Sequence, residues 1–345
     1  MKKRTEFPSL LNVVMAVVLG WHIYATNDKI EELFLHVSHN LCDNTVCQGQ
    51  ANALACEIFH KYAVKKFDAL KDGVDAKSCE ILDYALKCME NECFIKKTKF
   101  EYRPFSFPAY QWEHLRQWEN ELKVVMKKYN LLGEGHTAEA FYFHHGLRFS
   151  SRKIQDYVQN KDIIDCGAFI GDSLLALRKY TNKTIYCYEF SKPNAENFLK
   201  VMAANKITSG YRLINKALGE SVRQIKCNAQ RNDGSSSIEE GNGGDVVDMT
   251  SIDAEVKKYN INVGFIKMDV EGYGLPIIKG AINVIKTQRP VLSLAIYHNS
   301  DELFQIKPFL QKHLTDYVYE FRLQGFRNRD FLELTLICYP KEQNE

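Results

Sequence analysis

Two glycines set among acidic residues mark the stretch of the sequence best suited to bind a ligand. The residues DCGAFIGDS, 165–173, follow two isoleucines and run into the apolar LLAL, a pattern typical of a strand, a turn and the start of a helix. Gly167 lets the backbone leave the strand sharply and approach a ligand, and Gly171 permits close packing where the helix starts. We expect this turn to hold a nucleotide, with a capped helix that binds nothing as the alternative.

The charges around the turn indicate which kind of ligand it would accept. Asp165 ends the strand and Asp172 follows the second glycine, so two carboxylates lie beside the expected pocket. A pyrophosphate prefers bare N–H groups or cations, whereas a ligand with an amino group, hydroxyls and a positive centre suits two acids. Asp172 and Ser173 are also good residues to cap the helix.

A third acid follows at the end of the next predicted strand. Glu189 lies about twenty residues beyond the glycine turn, where an acid accepts hydrogen bonds from ribose hydroxyls. Such an acid occurs in NAD sites and in S-adenosylmethionine sites, so Glu189 does not separate the two cofactors. Ser191 and Pro193 are expected to cap and open the following helix.

A second group of reactive residues follows two later strands. Asp269 ends one predicted strand and His298 follows the next, and ligands bind outside the carboxyl ends of parallel strands. An ordinary histidine pKa near 6.5 suits proton removal, so His298 is the candidate general base, with a purely structural role as the alternative. Glu271 is a candidate site residue, and Lys267 should support the site by pairing with Asp269 or Glu271.

Alternating strands and helices must position these residues. Predicted strands are Ile163–Cys166, Thr184–Tyr188, Tyr211–Asn215, Val263–Met268 and Val291–Tyr297, and predicted helices are Ser173–Tyr180, Pro193–Asn205, Pro276–Thr287 and Asp301–His313. This order predicts an α/β fold with a parallel sheet and helices on both faces. The stretches YVYEFRL and FLELTLICY leave no room for a helix between them, so they predict a terminal antiparallel hairpin.

The residues before about 150 predict helices instead. Apolar spacing favours helices over Ala51–Leu70, Cys79–Cys93 and Glu119–Leu132, the last ending near Gly133. Two prolines and many aromatics predict a connecting segment over 101–118. Its aromatic rings favour core packing, with a stacking platform for a sugar acceptor as the alternative. The glycine- and serine-rich stretch 234–244 predicts a flexible loop.

Composition narrows the classes of function. The chain has 345 residues, 45% hydrophobic and 26% charged, with a net charge of +2. It has no long basic block, so nucleic acid is not an expected partner. The apolar run 7–25 follows three basic residues but contains Asn12 and His22, which favours a buried or docked helix over a signal peptide or membrane anchor.

Ten cysteines raise the questions of metal binding and of compartment. No CxxC occurs, which favours free thiols in a reducing cytoplasm. The pairs Cys42/Cys47 and Cys88/Cys93 leave a metal site or disulfides as the alternative. Three histidines in the stretch HTAEAFYFHHGLRF match no standard metal spacing; they are His136, His144 and His145. We expect no metal.

Several blocks in this sequence resemble one enzyme family. In order they are IIDCGAFIGDSLLAL, IYCYEFSKPNAENF, GSSSI, VVDMTSID, VGFIKMDVEGYGLPIIKGA and RPVLSLAIYH. They resemble the FkbM-like S-adenosylmethionine-dependent methyltransferases over roughly residues 140–340. The resemblance implies a Rossmann-like seven-stranded methyltransferase sheet, six strands parallel and one antiparallel. It also implies S-adenosylmethionine as cofactor and a hydroxyl oxygen as the usual acceptor.

The same resemblance assigns roles to individual residues. It implies that the methionine end of the cofactor is lined by Asp165, Gly167, Ala168 and Gly171. Asp172 matches the acid after the second glycine, Glu189 the ribose-binding acid, and Asp269 the residue beside the transferred methyl. Phe169, Ser173 and Phe190 complete the predicted cofactor-binding set. The sequence departs from many relatives at Cys166, where they have a small aliphatic residue, and at Phe169, where they have Asn.

These observations predict two regions and one activity. Residues 1–140 form a helical region of unknown role, and residues 141–345 form the S-adenosylmethionine-dependent methyltransferase domain. The expected reaction is O-methylation of a sugar, glycan or secondary metabolite, with His298, Asp269 and Glu271 as catalytic residues. A scaffold that binds S-adenosylmethionine without catalysis is the first alternative. An NAD-dependent oxidoreductase is the second, although its G-x-G-x-x-G is absent. A cytoplasmic protein without membrane association is expected.

Overall fold

A computed structural model describes residues 65–98, 109–227, 238, 245–326 and 333–343. The expectations for 7–25 and for Cys42 and Cys47 lie outside these residues, as does nearly all of the loop 234–244. The helix predicted over Ala51–Leu70 is described from Lys65 onward.

The elements follow one another in this order. The helices are α1 Lys65–Leu70, α2 Ala76–Thr98, α3 Ala109–Lys128, α4 Arg152–Gln159, α5 Asp172–Leu177, α6 Lys192–Ala204, α7 Ile252–Tyr259, α8 Gly274–Lys279, α9 Ile282–Gln288 and α10 Ser300–His313. The strands are β1 Asp162–Cys166, β2 Ile185–Tyr188, β3 Tyr211–Ile214, β4 Ala217–Leu218, β5 Arg223–Cys227, β6 Asp245–Thr250, β7 Val263–Met268, β8 Val291–Ala295, β9 Tyr317–Leu323 and β10 Leu334–Pro340. A π-helix spans Glu139–Phe143, and short 3₁₀ turns span Leu147–Phe149 and Lys341–Gln343.

One seven-stranded sheet organises the chain. Its order is β3-β2-β1-β7-β8-β10-β9, and β10 alone among these strands runs antiparallel to its neighbours. The predicted Rossmann-like α/β fold, with six parallel strands and a terminal hairpin, is therefore confirmed. Its strand order reverses beside β1, which opens a crevice at the carboxyl ends of β1 and β7.

Two apolar cores cover the two faces of this sheet. On β1, Ile164 points to the core that includes Phe67 of α1, and Ile163 points to the core that includes Trp118 of α3. Successive strand residues face opposite sides, so helices must cover both. Of the helices before residue 130, α2 packs against β9 of the sheet, α1 packs on α10 and α2, and α3 packs on the π-helix Glu139–Phe143. The predicted boundary between 140 and 141 falls inside the π-helix and stays a prediction.

The structure corrects three predictions about the elements. The segment predicted as a connection over 101–118 is helical where it is described, since α3 spans Ala109–Lys128. The helix predicted over Pro276–Thr287 is two helices that meet at Gly280, where a side chain would collide with the backbone of Gly219. A small second sheet, β4-β6-β5, was not predicted.

The described cysteines and helices were also compared with the predictions on disulfides and on membrane association. Cys79, Cys166, Cys187 and Cys338 form no disulfide within the described residues, and free thiols in a reducing cytoplasm stay a prediction. Across the described ranges, no helix has both the length and the apolar character that crossing a bilayer requires.

Candidate active site

A cavity of about 460 Å³ opens at the carboxyl ends of the central strands. This volume lies in the usual range for small-molecule sites. The predicted residues that line it are Gly167, Phe169, Asp172, Ser173, Glu189, Phe190, Asp269 and Glu271. Asp165, Ala168, Gly171 and His298, also predicted, lie buried outside its lining.

The turn after β1 is held by close backbone contacts. Gly167 has φ 77°, and a Cβ there would overlap the carbonyl oxygen of Asp269. The N–H groups of Gly167 and Ala168 both donate to the carbonyl of Tyr188, each at 3.0 Å. This turn therefore fits between β2 and β7 only because residue 167 has no side chain.

The start of α5 differs slightly from the prediction. Gly171, with φ 87°, occupies the N-cap position itself, so Asp172 and Ser173 lie in the first helical turn instead of capping it. A Cβ at Gly171 would lie 2.6 Å from Met202 and 2.9 Å from Phe198, which confirms the expected close packing. Phe169 has φ 46°, a left-handed conformation that Asn adopts more readily than Phe.

Glu189 connects the turn to the second strand. One carboxyl oxygen accepts the N–H of Phe169 at 3.0 Å and the other accepts the N–H of Ser191 at 2.8 Å. Burial raises the pKa of Glu189 to about 7 against these two bonds. Ser191 caps α6 by accepting the N–H of Asn194, as predicted. The carboxyl group is thus fixed at the rim of the cavity, with lone pairs left for hydroxyl donors.

Lys267 pairs with a different acid from those predicted. Its ammonium donates to the carbonyl of Gly167 at 2.8 Å and lies 3.2 Å from the Asp165 carboxylate. The ion pair is thus with Asp165, an acid that the sequence did not assign to Lys267. Burial lowers the pKa of Lys267, but the charges of Asp165 and Asp269 outweigh it and raise that pKa. Burial raises the pKa of Asp165 against the charge of Lys267. This buried pair lies beneath the turn and supports it.

A charged chain of three residues closes the other end of the cavity. His298 lies with Nε2 3.1 Å from Asp269 and Nδ1 2.9 Å from Glu302. Burial opposes a charge on His298, yet the two carboxylates raise its pKa well above the usual range. Burial of Asp269 is likewise outweighed by His298, so the pKa of Asp269 falls below its usual range. Glu302 also accepts the N–H of Gly274 at 2.8 Å.

Asp269 lies between His298 and the cavity. The imidazole is almost fully buried, whereas the Asp269 carboxyl lines the cavity. The assignment of His298 as general base stays a prediction, with Asp269 as the member of the pair that a ligand would meet. The sequence did not single out Glu302, which lies four residues after His298 in the first turn of α10.

Glu271 completes this end of the cavity from a strained turn. Its φ is 52° and that of Gly272 is 100°, so two successive left-handed residues turn the chain after β7. Ligand atoms of Asp269, Glu271 and His298 lie within 4.8 Å of one another, close enough to hold a cation. The single positive charge on His298 offsets part of the negative charge of these carboxylates. The absence of a metal from the reaction stays a prediction.

The cavity also has walls that sequence reasoning missed. Before β1 they include Glu134, Thr137, Glu139 and His145, and after β3 they include Lys216, Ala217 and Leu218. Tyr297 and Glu333 line it from the β8 side. The position of Lys216 after a strand end was a usable signal. Glu139 and His145 gave none, because a π-helix and a left-handed turn bring them in.

The aromatic segment takes the predicted structural role where it is described. Trp118 is buried and its ring lies 6.2 Å from that of Tyr142 in the core. The described residues of 101–118 are absent from the cavity lining. Aromatic rings in the lining come instead from Phe169, Tyr188, Phe190 and Tyr297.

Comparison with known proteins gives the family of this region. Residues 165–327 match the family model of the methyltransferase FkbM domain. No curated protein matches the sequence. The methyltransferase FkbM of Methylobacillus flagellatus KT shares 19% identity and a TM-score of 0.51; the alignment covers 83% of this chain and 60% of that protein. This chain thus spans less than two thirds of that relative's length.

Two other solved structures resemble the chain more weakly. A Geobacter sulfurreducens methyltransferase has 9% identity and a TM-score of 0.37, covering 69% of this chain and 92% of that one. A Streptococcus mutans protein solved in complex with SAH has 12% identity and a TM-score of 0.34, and the alignment covers 55% of this chain and 97% of that one. The match to the methyltransferase FkbM domain over residues 165–327 includes the turn after β1 and the strand ends that form the cavity.

Proposed function

We propose that this protein transfers a methyl group from S-adenosylmethionine to a hydroxyl of a sugar, a glycan or a secondary metabolite. The observation that carries the proposal is Glu189, whose carboxyl group is fixed at the cavity rim by the N–H groups of Phe169 and Ser191. In this position it accepts hydrogen bonds from the ribose of an adenosyl cofactor.

The charge of the cavity supports this cofactor over a dinucleotide. Acidic residues outnumber lysines in the lining; the acids are Glu134, Glu139, Asp172, Glu189, Asp269, Glu271 and Glu333, and the lysines are Lys216 and Lys267. A sulfonium and an ammonium are attracted to such a surface, whereas a pyrophosphate is repelled. The same charge argues against nucleic acid as the acceptor.

The chemistry would take place beside Asp269. The acceptor oxygen forms a bond to the methyl carbon while the methyl–sulfur bond breaks, and S-adenosylhomocysteine leaves. In this proposal Asp269 takes the place of His298 as the base: it accepts the hydrogen bond of the acceptor hydroxyl and receives its proton. His298, which its two carboxylate neighbours keep protonated, and Glu302 hold the Asp269 carboxylate in place. Alignment of the acceptor with the methyl lowers the activation barrier by roughly 7–11 kcal/mol. Proton removal by a positioned base raises the rate about 10²–10⁴-fold.

The walls near Asp269 support a polyhydroxylated acceptor. The ring of Tyr297 offers an apolar face, and the carboxylates of Glu271 and Glu333 accept hydroxyl hydrogen bonds. We place the reaction in the cytoplasm, where the free thiols stay reduced.

Thermal unfolding with separate ligands tests the proposal. S-adenosylmethionine, S-adenosylhomocysteine and NAD are each added at large excess to the full chain. A ligand at about 100 times its Kd stabilises by about 2.7 kcal/mol, which raises Tm by several degrees. We expect a shift with both adenosyl compounds and none with NAD, followed by methyl transfer from labelled cofactor in a screen of hydroxylated acceptors.

Each other outcome identifies a different function. A shift with NAD alone would refute the cofactor assignment. Binding of S-adenosylmethionine without turnover on any acceptor, unchanged by His298→Ala, would favour the non-catalytic scaffold.

A further inference from the structure

The chain before the FkbM domain forms one wall of the cavity in an unusual conformation. A π-helix spans Glu139–Phe143, and π-helices are rare and concentrate at functional sites. His144, His145 and Gly146 follow with φ values of 48°, 51° and 87°. Three successive left-handed residues are energetically costly outside glycine, so the surrounding structure must hold this turn in place.

This turn directs two neighbouring histidines to different partners. His144 lies with Nδ1 2.8 Å from the Tyr180 hydroxyl and Nε2 3.1 Å from the Lys179 ammonium, so both ring nitrogens have partners. His145 lies with Nδ1 3.2 Å from the Glu139 carboxylate. Because a carboxylate accepts only, Nδ1 of His145 carries a proton.

The second nitrogen of His145 has no partner although it is buried. His145 lines the cavity and its side chain is only 2% exposed, yet Nε2 makes no hydrogen bond within the described protein. A buried polar atom without a partner costs free energy unless a ligand or water satisfies it. Nε2 is therefore positioned for a group that enters the cavity.

The charges nearby define that group. Burial raises the pKa values of Asp165 and Asp172, and the charges of Lys267 and His145 oppose this rise. These acids attract the ammonium of an amino-acid ligand. The ammonium of Lys267 already donates to the carbonyl of Gly167. A carboxylate entering here would accept a hydrogen bond from Nε2 of His145 in a ring that carries a proton on both nitrogens, one directed to Glu139 and one to the ligand.

We propose that His145, held by Glu139, binds the α-carboxylate of the S-adenosylmethionine methionyl group through Nε2. The inference rests on the proposed function for the identity of the cofactor. It assigns a cofactor contact to a segment outside the matched residues 165–327, so the helical region and the domain would share one binding site.

The test compares two ligands that differ only in this carboxylate. Calorimetry measures Kd for S-adenosylmethionine and for decarboxylated S-adenosylmethionine, with wild type, His145→Asn and His144→Asn. Asn tolerates the left-handed conformation at both positions. A charged hydrogen bond should make wild type prefer the carboxylated ligand by roughly 10- to 100-fold. We expect His145→Asn to lose this preference and His144→Asn to keep it.

A second variant guards against a folding defect. Glu139→Gln leaves His145 intact and removes the charge behind it, so the preference should fall to an intermediate value while Tm stays within a few degrees of wild type. A preference that survives in His145→Asn, or that is lost equally in His144→Asn, overturns the inference. If wild type binds the adenosyl ligands without preference, the inference alone fails. If wild type binds neither ligand, the proposed function fails as well.

Discussion

The two ends of the cavity are built by different means. At the end proposed for the cofactor, the cavity depends on backbone contacts: Gly167 lies directly against the carbonyl of Asp269, and the Glu189 carboxyl accepts two backbone N–H groups. At the end proposed for the acceptor, charged side chains face one another, with His298 between Asp269 and Glu302.

This difference separates two kinds of sensitivity. A close backbone contact leaves no space for an added atom, so substitutions that enlarge a side chain at the proposed cofactor end should lower stability and ligand binding. A charged chain tolerates small changes in shape but not the loss of one charge, because its partners then remain buried and unbalanced. Volume changes should therefore disrupt the first end and charge changes the second.

The largest expected effect is that of Gly167→Ala. Its Cβ would overlap the carbonyl of Asp269, so we expect a loss of at least about 3 kcal/mol and loss of the Tm shift with S-adenosylmethionine. Gly210→Ala is the matched control, because Gly210 also has a positive φ, 84°, but no atom within 4 Å of the added Cβ. It should lose only about 1–2 kcal/mol and keep the ligand shift. Equal losses in the two variants would show that backbone strain, not the contact, limits residue 167.

A smaller effect, confined to rate, is expected at the acceptor end. His298→Ala removes the cation that keeps Asp269 charged, and methyl transfer should fall about 10²–10⁴-fold while Kd for S-adenosylmethionine changes little. His313→Ala is the control, since His313 ends α10, the helix that begins just after His298, and its Nδ1 hydrogen-bonds the carbonyl of Phe309. Turnover of His298→Ala at the wild-type rate would remove His298 from the mechanism.

His298→Ala could also lower the rate by destabilising the fold, so a second variant separates the two effects. His298→Ala leaves the buried Glu302 carboxylate without its cation, which is destabilising. The double variant His298→Ala/Glu302→Gln removes that charge. If the double variant recovers Tm but not the rate, the rate effect belongs to the mechanism and not to folding.

The smallest effect is a pH dependence of cofactor binding through Glu189. Burial raises the pKa of Glu189 to about 7 from an ordinary value of 4.5. In the folded protein without ligand, this carboxyl keeps its proton up to about pH 7, whereas in the unfolded chain it loses the proton near pH 4.5. The proton therefore stabilises the folded state fully below pH 4.5, and this stabilisation is lost as the pH rises to about 7. Ribose hydroxyls bind better to the carboxylate, so Kd should fall as pH rises from 6 to 8, by at most about tenfold per unit.

Calorimetry at pH 6, 7 and 8 measures this slope. Glu189→Gln should bind S-adenosylmethionine more weakly at every pH, and its Kd should lack the pH dependence that the Glu189 carboxyl causes. A slope unchanged in Glu189→Gln would assign the titration to another group.

The comparison also explains which parts of the site could be predicted. Gly167, Gly171 and Glu189 were found because their roles depend on local backbone geometry and on strand order, which the sequence pattern indicates directly. His145, Glu139 and Glu302 were missed because each acts through contacts that the fold creates. Lys267 was found but given the wrong partner, since strand direction predicts a side and not which acid on that side is nearest.

The sequence by itself determined the alternation of strands and helices, the terminal hairpin and the glycine turn, because apolar periodicity and glycine content act over a few residues. Only the tertiary structure decided that Lys267 supports Asp165, that Asp269 stands between His298 and the cavity, and that the segment before the domain lines the cavity. These facts depend on burial and on charges brought together from distant positions, and neither is encoded in local spacing.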